Sequence, residues 1–248
     1  MSAHEKISHP RRAFLGLAAS AAAFSVSAQF GAAFAQAGGP PMKIGVIGSG
    51  RLGGTVGGLL AKAGHQVLFS SRHPDELKGL VEGLGPNARA GTVEQAVAFG
   101  DVILVAVPYS AMPAIGRNNA KGLAGKIVLD ATNPVIPRDG EVAKAAQERG
   151  VGEASAEHLK GTRLVRAFNS FGSGKFASEA HRQGEKFGVP IASDDADALK
   201  LAARLVRDAG FEPVAVPLAR AREFAPPGPL FTKAMPVSEL RKALGVTQ

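Results

Sequence analysis

The chain has 248 residues, of which 45% are hydrophobic and 20% charged, so it can form one large globular core but has no room for a separate large helical domain. It contains no cysteine, which excludes disulfides, thiolate metal sites and a cysteine nucleophile. The net charge of +8 favours anionic ligands, but the basic residues are scattered without long Lys/Arg runs, so nucleic-acid binding is not expected.

Residues 1–35 have the pattern of an export signal. A twin-arginine motif, His9-Pro10-Arg11-Arg12-Ala13-Phe14-Leu15, is followed by an Ala-rich stretch that ends in Ala33-Phe34-Ala35, a signal-peptidase site before Gln36. This predicts export through the twin-arginine (Tat) machinery to the periplasm, with residues 36–41 as a linker. An uncleaved membrane anchor is the alternative, but the Ala, Ser and Gly content suits a permanent span poorly, and we expect none after cleavage.

The segment that begins at Met42 predicts a short buried strand running into a glycine-rich turn, and a helix is expected from Gly54 to Ala63. The turn between them reads Gly48-Ser49-Gly50-Arg51-Leu52-Gly53. Its three glycines permit a tight turn, close approach of backbone amides to phosphates, and close packing of helix on strand. The pattern predicts a dinucleotide pyrophosphate site at the positive end of the helix. A merely tight strand-to-helix turn is the alternative.

The next strand, Gln66 to Phe69, ends in Ser70-Ser71-Arg72-His73. NAD-binding sites usually place an acidic residue here to hold the ribose 2′-hydroxyl, and this segment has none. Hydroxyl and guanidinium donors suit a 2′-phosphate, which favours NADP(H). Alternatively, Ser71 and Arg72 simply precede a helix whose first turn is Pro74-Asp75-Glu76.

Further apolar runs alternate with helical segments along the chain. The expected strands are Asn87–Ala90, Asp101–Val107, Lys126–Asp130, Arg163–Phe168, Val189–Ser193 and Pro213–Val216, with helices at Thr92–Ala98 and Asp195–Ala209. Continuous apolar strands are typical of parallel sheets covered on both faces. We therefore predict an α/β fold with a doubly wound, mostly parallel sheet of order 3-2-1-4-5 at its start. One main domain, 42–218, carries a small C-terminal extension, 219–248.

Ligands of such sheets lie beyond the carboxyl ends of the strands. The residues expected there, forming a cleft for the nicotinamide and a hydride acceptor, are Val107, Pro108, Tyr109, Asn133, Pro134, Phe168 and Asn169. Both prolines fix the direction of the chain without donating an N–H group. They are equally compatible with simple strand termination.

The chain from Met42 to about Leu218 resembles the NADPH-dependent reductases of the deazaflavin coenzyme F-420. The matching segments are Ile47–Gly53, Ser71-Arg72, Val105–Pro108, Asp130–Pro134, Val165–Asn169 and Gly210–Val214. The resemblance implies a Rossmann-like fold, NADP(H) as cofactor and hydride exchange with coenzyme F-420 or a flavin. Related domains also serve ferric and imine reductases. The chain departs from the family at Val216-Pro217-Leu218 and in the proline cluster Ala225–Pro229, where the acceptor pocket is expected to differ.

These features favour an oxidoreductase that moves a hydride between NADP(H) and a small-molecule redox partner. A non-catalytic NADP(H)-binding protein and an imine or carbonyl reductase are the alternatives, the latter with Tyr109 as proton donor. No metal site is expected, because His158 and His181 are assigned to helix surfaces and Asp194–Asp197 to a helix N-cap. The sequence leaves a homodimer open.

Overall fold

A computed structural model describes residues 39–246 of the chain, so the expected leader, 1–35, lies outside the described residues. The strands are β1 (Lys43–Ile47), β2 (Gln66–Ser70), β3 (Ala88–Gly91), β4 (Val102–Val105), β5 (Ile127–Asp130), β6 (Arg163–Arg166), β7 (Gly188–Ala192) and β8 (Glu212–Val216). The α-helices of this part are α1 (Arg51–Lys62), α2 (Lys78–Leu84), α3 (Val93–Phe99), α4 (Met112–Leu123), α5 (Ile136–Arg149), α6 (Val151–His158), α7 (Ser173–Glu179), α8 (Ala196–Asp208) and α9 (Val237–Leu244).

The eight strands form one sheet in the order β3-β2-β1-β4-β5-β6-β7-β8. Neighbouring strands are parallel except β6 and β7, which pair antiparallel through Arg166 and Ala192. The predicted α/β class, doubly wound sheet and order of the first five strands are confirmed. Because the chain runs outward from β1 to β3 and then returns to β4, the order reverses between β1 and β4. Folds of this type bind their ligands at this point, beyond the carboxyl ends of the strands.

Strand β4 shows how the sheet is covered on both faces. Val102 and Leu104 belong to one hydrophobic core, whereas Ile103 and Val105 belong to a second core on the other face. All four side chains are at most 1% exposed. Successive side chains of a strand point to opposite faces, so a run without any polar residue requires helices on both sides.

Several boundaries differ from the sequence expectations for local reasons. Helix α1 begins at Arg51 rather than at Gly54, because the amide of Gly54 already donates to the carbonyl of Gly50 at 2.7 Å. Strand β6 ends at Arg166, because Phe168 has a φ of 59°, in the left-handed region that ends extended backbone. The helical assignment of His181 is wrong, since α7 ends at Glu179 and His181 has a φ of 55°.

The C-terminal residues pack against the last strands of the sheet. The amide of Val237 donates to the carbonyl of Lys186, and Leu240 and Leu244 of α9 are each 2% exposed. Burial of these leucines supplies the apolar contact that holds α9 on the sheet. Within residues 39–246, no helix is both long and apolar enough to cross a membrane.

Candidate functional site

The three glycines of the turn after β1 have different roles. Gly48 has a φ of 92°, and a Cβ there would lie 2.6 Å from the carbonyl oxygen of Ala106. A Cβ on Gly53 would collide with the carbonyl oxygen of Gly48. A Cβ on Gly50, in contrast, would meet no atom of the described chain within 4 Å. Gly48 and Gly53 are therefore needed for folding, whereas Gly50 faces open space at the start of α1.

The N-terminus of α1 offers unsatisfied hydrogen-bond donors to that space. Gly50 is the N-cap and supplies no side-chain cap, and the first turn of the helix has no acidic residue. Amides in the first turn of a helix have no partner within the helix. The buried hydroxyl of Ser49 also lacks a partner among the described residues. This set of donors at a positive helix end fits the pyrophosphate of a dinucleotide.

The segment after β2 is divided between structural and available groups. Ser70 is fully buried and its hydroxyl donates to the carbonyl of Val46 at 2.7 Å, so it joins β2 to β1 and does not face a ligand. Ser71 is half-buried and accepts from the amide of His73, and Arg72 is exposed. A 3-10 turn, Pro74–Leu77, follows, so Ser71 and Arg72 also precede a helical turn. Arg72 is thus an exposed cation at this edge.

Tyr109 does not lie in the cleft. Its side chain is fully buried, its hydroxyl is 3.3 Å from that of Ser155 on α6, and its ring packs edge-on against His158. Burial raises the pKa of this phenol to about 12, and the hydrogen bond with Ser155 only partly opposes that shift. The expectation that Tyr109 lines the cleft as a proton donor is therefore wrong. Of its neighbours, Val107 is half-buried and Pro108 is exposed.

Phe168 also faces the core. Its side chain is fully buried and packs with Phe171, Phe176 and Phe211 in an aromatic cluster. The side chain of Phe168 therefore does not line the cleft, where the sequence placed this residue. Aromatic side chains bury more apolar surface than most others, so the ring of Phe168 fixes the backbone that follows the last residue of β6. The left-handed backbone at Phe168 then turns the chain toward Asn169.

Asn133 and Asn169 join three segments at the carboxyl edge of the sheet. The Asn133 amide donates to the carbonyl of Asn169 at 2.8 Å, and the Asn169 amide donates to Oδ1 of Asn133 at 3.1 Å. The same amide of Asn169 lies 3.1 Å from the carbonyl of Phe224 in the C-terminal extension. Pro134 is buried, and its carbonyl accepts from Gln147. The loops after β5 and β6 and the extension are thus held together.

Asp139, which the sequence analysis did not select, connects the loops after β4 and β5. Its carboxylate accepts from the amide and hydroxyl of Ser110, from the amide of Val135 and from Arg138. Burial opposes ionisation of this carboxyl, but the bonds from Arg138 and the two amides outweigh it and lower its pKa. A lone Asp early in a helix resembles an ordinary N-terminal acid, so no sequence pattern indicates this contact.

Asp130 and Arg166 form a second polar contact that the sequence analysis did not select. They are register partners on β5 and β6, both are fully buried, and Nη1 of Arg166 lies 2.5 Å from Oδ2 of Asp130. Opposite charges at the same end of two apolar strands were the available signal. Elsewhere among residues 39–246, no group of three or more His, Asp or Glu side chains is placed to hold a metal ion.

Comparison with known proteins agrees with this geometry. Residues 43–134 match the family described as NADP oxidoreductase, coenzyme F-420-dependent. The rat (Rattus norvegicus) protein Metalloreductase STEAP3 is 30% identical over 185 residues, which cover 73% of this chain and 35% of the rat protein. The chain thus spans about a third of the length of this curated relative.

Two solved structures have the same fold. A hypothetical protein from Sinorhizobium meliloti superimposes with a TM-score of 0.69 at 24% identity, covering 79% of this chain and 96% of its own. A proposed F-420-dependent NADP reductase from Arthrobacter sp. gives a TM-score of 0.64 at 22% identity, with 83% and 96% covered. The family match covers the glycine-rich turn and the first five strands, so this region of the chain is similar to the coenzyme F-420-dependent NADP oxidoreductases.

Proposed function

We propose that the protein transfers a hydride between NADP(H) and a second redox partner with a planar ring, a deazaflavin such as coenzyme F-420 or a flavin. The observation that carries this proposal is the anion-binding turn at Gly50, whose unsatisfied donors lie beside a β2 end that has Arg72 and no acid. A guanidinium can pair with two oxygens of a 2′-phosphate, whereas a carboxylate at this position would repel the phosphate.

The chain's own task in such a reaction is to position two rings and exclude water. The nucleotide supplies the hydride when bound. Val107, Pro108 and Asn133 follow β4 and β5 and are not fully buried, whereas Asn169 is 1% exposed and holds Asn133 through the paired amides. Hydride transfer between two rings needs little acid-base chemistry, which agrees with the burial of Tyr109. Imine or carbonyl reduction would require a proton donor at the ring, and the hydroxyl proposed for that role lies in the core.

The names of the relatives support a redox role. The rat relative is called a metalloreductase, and the Arthrobacter protein is proposed to depend on coenzyme F-420. The deazaflavin is therefore the acceptor class to test first, and a flavin, which has a similar ring system, is the second.

Mixing the protein with NADPH and, in separate reactions, coenzyme F-420, FMN or FAD tests the proposal. We expect one acceptor to oxidise NADPH, with deuterium lost from C4 of labelled NADPH. The label should stay on the ring carbon of reduced coenzyme F-420, whereas on a reduced flavin it would exchange from nitrogen into water. Tight NADPH binding without oxidation by any of these acceptors would instead support the non-catalytic alternative. A further reaction contains an imine or a carbonyl compound as acceptor. Oxidation of NADPH in that reaction alone would support the imine or carbonyl reductase alternative.

We further propose that the protein acts in the periplasm after export by the Tat machinery. The twin-arginine motif at Arg11-Arg12 and the cleavage site before Gln36 support this location. Because Tat substrates cross the membrane folded, NADP(H) would be bound in the cytoplasm before export.

A further inference from the structure

The ion pair between Asp130 and Arg166 has a geometry that stability alone does not explain. Removing two charges from water costs free energy that their attraction often does not recover, so apolar residues would serve the sheet as well or better. Nε of Arg166 is buried without a hydrogen-bond partner among the described residues, which adds to this cost. A contact of this kind calls for a role other than holding β5 to β6.

The contacts of the pair converge on Thr132. Nη2 of Arg166 donates to the carbonyl of Thr132 at 2.7 Å. Oδ1 of Asp130 accepts from the amide of Thr132 at 2.8 Å and from its hydroxyl at 2.6 Å. Thr132 is 2% exposed and lies outside any helix or strand. The two charged side chains therefore replace the secondary structure that would otherwise hold both backbone groups of this residue.

Fixing Thr132 also fixes the residue that follows it. Asn133 continues into the paired amides with Asn169, and its carbonyl accepts from Arg138. The guanidinium of Arg166 also reaches the loop after β4 indirectly. Its Nη1 lies 3.5 Å from the hydroxyl of Ser155, which contacts Tyr109. Two loops that border the cleft thus rest on one buried polar cluster.

We infer that Asp130 and Arg166 are positioning residues, which hold Thr132 and Asn133 in the conformation that receives the nicotinamide half of NADP(H). This inference rests on the proposed function. It predicts that loss of the pair weakens binding of the nicotinamide half while binding of the adenosine 2′-phosphate half stays as it was, because Gly50 and Arg72 belong to other strand ends.

The test compares dissociation constants for NADPH and for 2′,5′-ADP, which lacks the nicotinamide. In the double variant Asp130→Leu with Arg166→Met, we expect affinity for 2′,5′-ADP within threefold of wild type and affinity for NADPH at least tenfold lower. The fluorescence of the bound reduced nicotinamide should also move toward that of free NADPH. Arg163→Met is the matched control, because Arg163 pairs with Asp195 at the opposite end of β6 and is partly exposed. It should change neither constant.

Arg166→Lys keeps the test decisive if the double variant does not fold. A lysine presents its donors from one nitrogen and not from a planar fork, so it should not hold Asp130 and the carbonyl of Thr132 in their present positions, and the same selective loss for NADPH is expected. A folded variant of either kind with NADPH and 2′,5′-ADP affinities like those of wild type would overturn the inference. Failure of wild type to oxidise NADPH with any acceptor would be a separate result, which bears on the proposed function and leaves these binding constants measurable.

Discussion

The hydroxyl group of Tyr109 lies 3.3 Å from that of Ser155, inside the core beneath the carboxyl end of β4. This contact turns the one tyrosine of the chain away from the cleft that its position in the sequence suggested. The proton donor that a carbonyl or imine reductase would need is thereby placed out of reach of a substrate. The choice between hydride acceptors therefore has a simple mutational test.

Tyr109→Phe should keep hydride transfer within about tenfold of wild type, because general acid catalysis would contribute about 100-fold or more. The substitution removes one buried hydrogen bond, so the free energy of unfolding should fall by about 1 kcal/mol. Steady-state rates with NADPH and the acceptor, together with urea unfolding, measure both effects. A loss of activity well beyond tenfold in a folded variant would support the alternative function of an imine or carbonyl reductase.

Two glycines of the same turn should respond in opposite ways to substitution. Gly50→Val should unfold like wild type to within about 1 kcal/mol, the scale of a changed N-cap, but should bind neither NADPH nor NADH, because its side chain fills the open space at α1. Gly53→Ala places a Cβ against the carbonyl oxygen of Gly48 and should lower the free energy of unfolding by about 2 kcal/mol.

Thermal unfolding and nucleotide titration on both glycine variants give this comparison. Retained nucleotide binding by folded Gly50→Val would show that the pyrophosphate does not occupy this turn.

Arg72→Ala should weaken the binding of NADPH by about 1.5–3 kcal/mol, the scale of hydrogen bonds to a charged group, and should leave the binding of NADH nearly unchanged. The reason is that only NADPH carries the 2′-phosphate. Isothermal titration with both nucleotides measures the difference. Arg117→Ala, an exposed arginine on α4, is the matched control. Equal losses for the two nucleotides would argue against a 2′-phosphate contact.

Much of the fold follows from the sequence because the signals are local. The glycine-rich turn, the apolar run of β4 and the cap of α8 each depend on neighbouring residues. Asp195 accepts from the amides of Asp197 and Ala198, as the acidic cluster predicted. The antiparallel pairing of β6 with β7 depends on the path of the chain between them, which periodicity does not record.

The candidate site was harder to predict because strand ends do not show where side chains point. Phe168 and Tyr109 follow strands, as predicted, yet both side chains turn into the core, one through a left-handed backbone and the other through a buried hydrogen bond. Contacts between distant segments, such as that of Asn169 with Phe224, join residues 55 positions apart. No local pattern specifies such a contact.

The stability of the protein should fall as the pH drops from about 7 to 5. Burial lowers the pKa of His65 and of His158 below the ordinary 6.5, so the unfolded chain takes up protons before the folded one. Asp139 and Asp195, whose pKa values are lowered, contribute stability that is lost only as the pH falls below about 3.8, so they do not act in this window.

Urea unfolding at several pH values measures the slope of the free energy of unfolding against pH in this range. His65→Asn should reduce it, because an amide can still accept from the amide of Met42 but does not titrate. His73→Asn, at an exposed position, is the matched control. A slope that is the same in His65→Asn and in wild type would assign the pH dependence to other groups.

The proposed export predicts that export and cofactor binding are coupled, because a reductase outside the cytoplasm would meet little free NADPH. Arg11→Lys combined with Arg12→Lys should leave the precursor in the cytoplasm with the bond between Ala35 and Gln36 intact, which immunoblots of cell fractions would show.

Retention of the nucleotide during export requires slow dissociation and hence tight binding at the turn of Gly50 and at Arg72. The mature protein from the periplasm should therefore still hold its nucleotide after hours of dialysis. Complete loss within minutes would mean that the nucleotide is not carried across the membrane, and a redox role in the periplasm would then need another source of hydride.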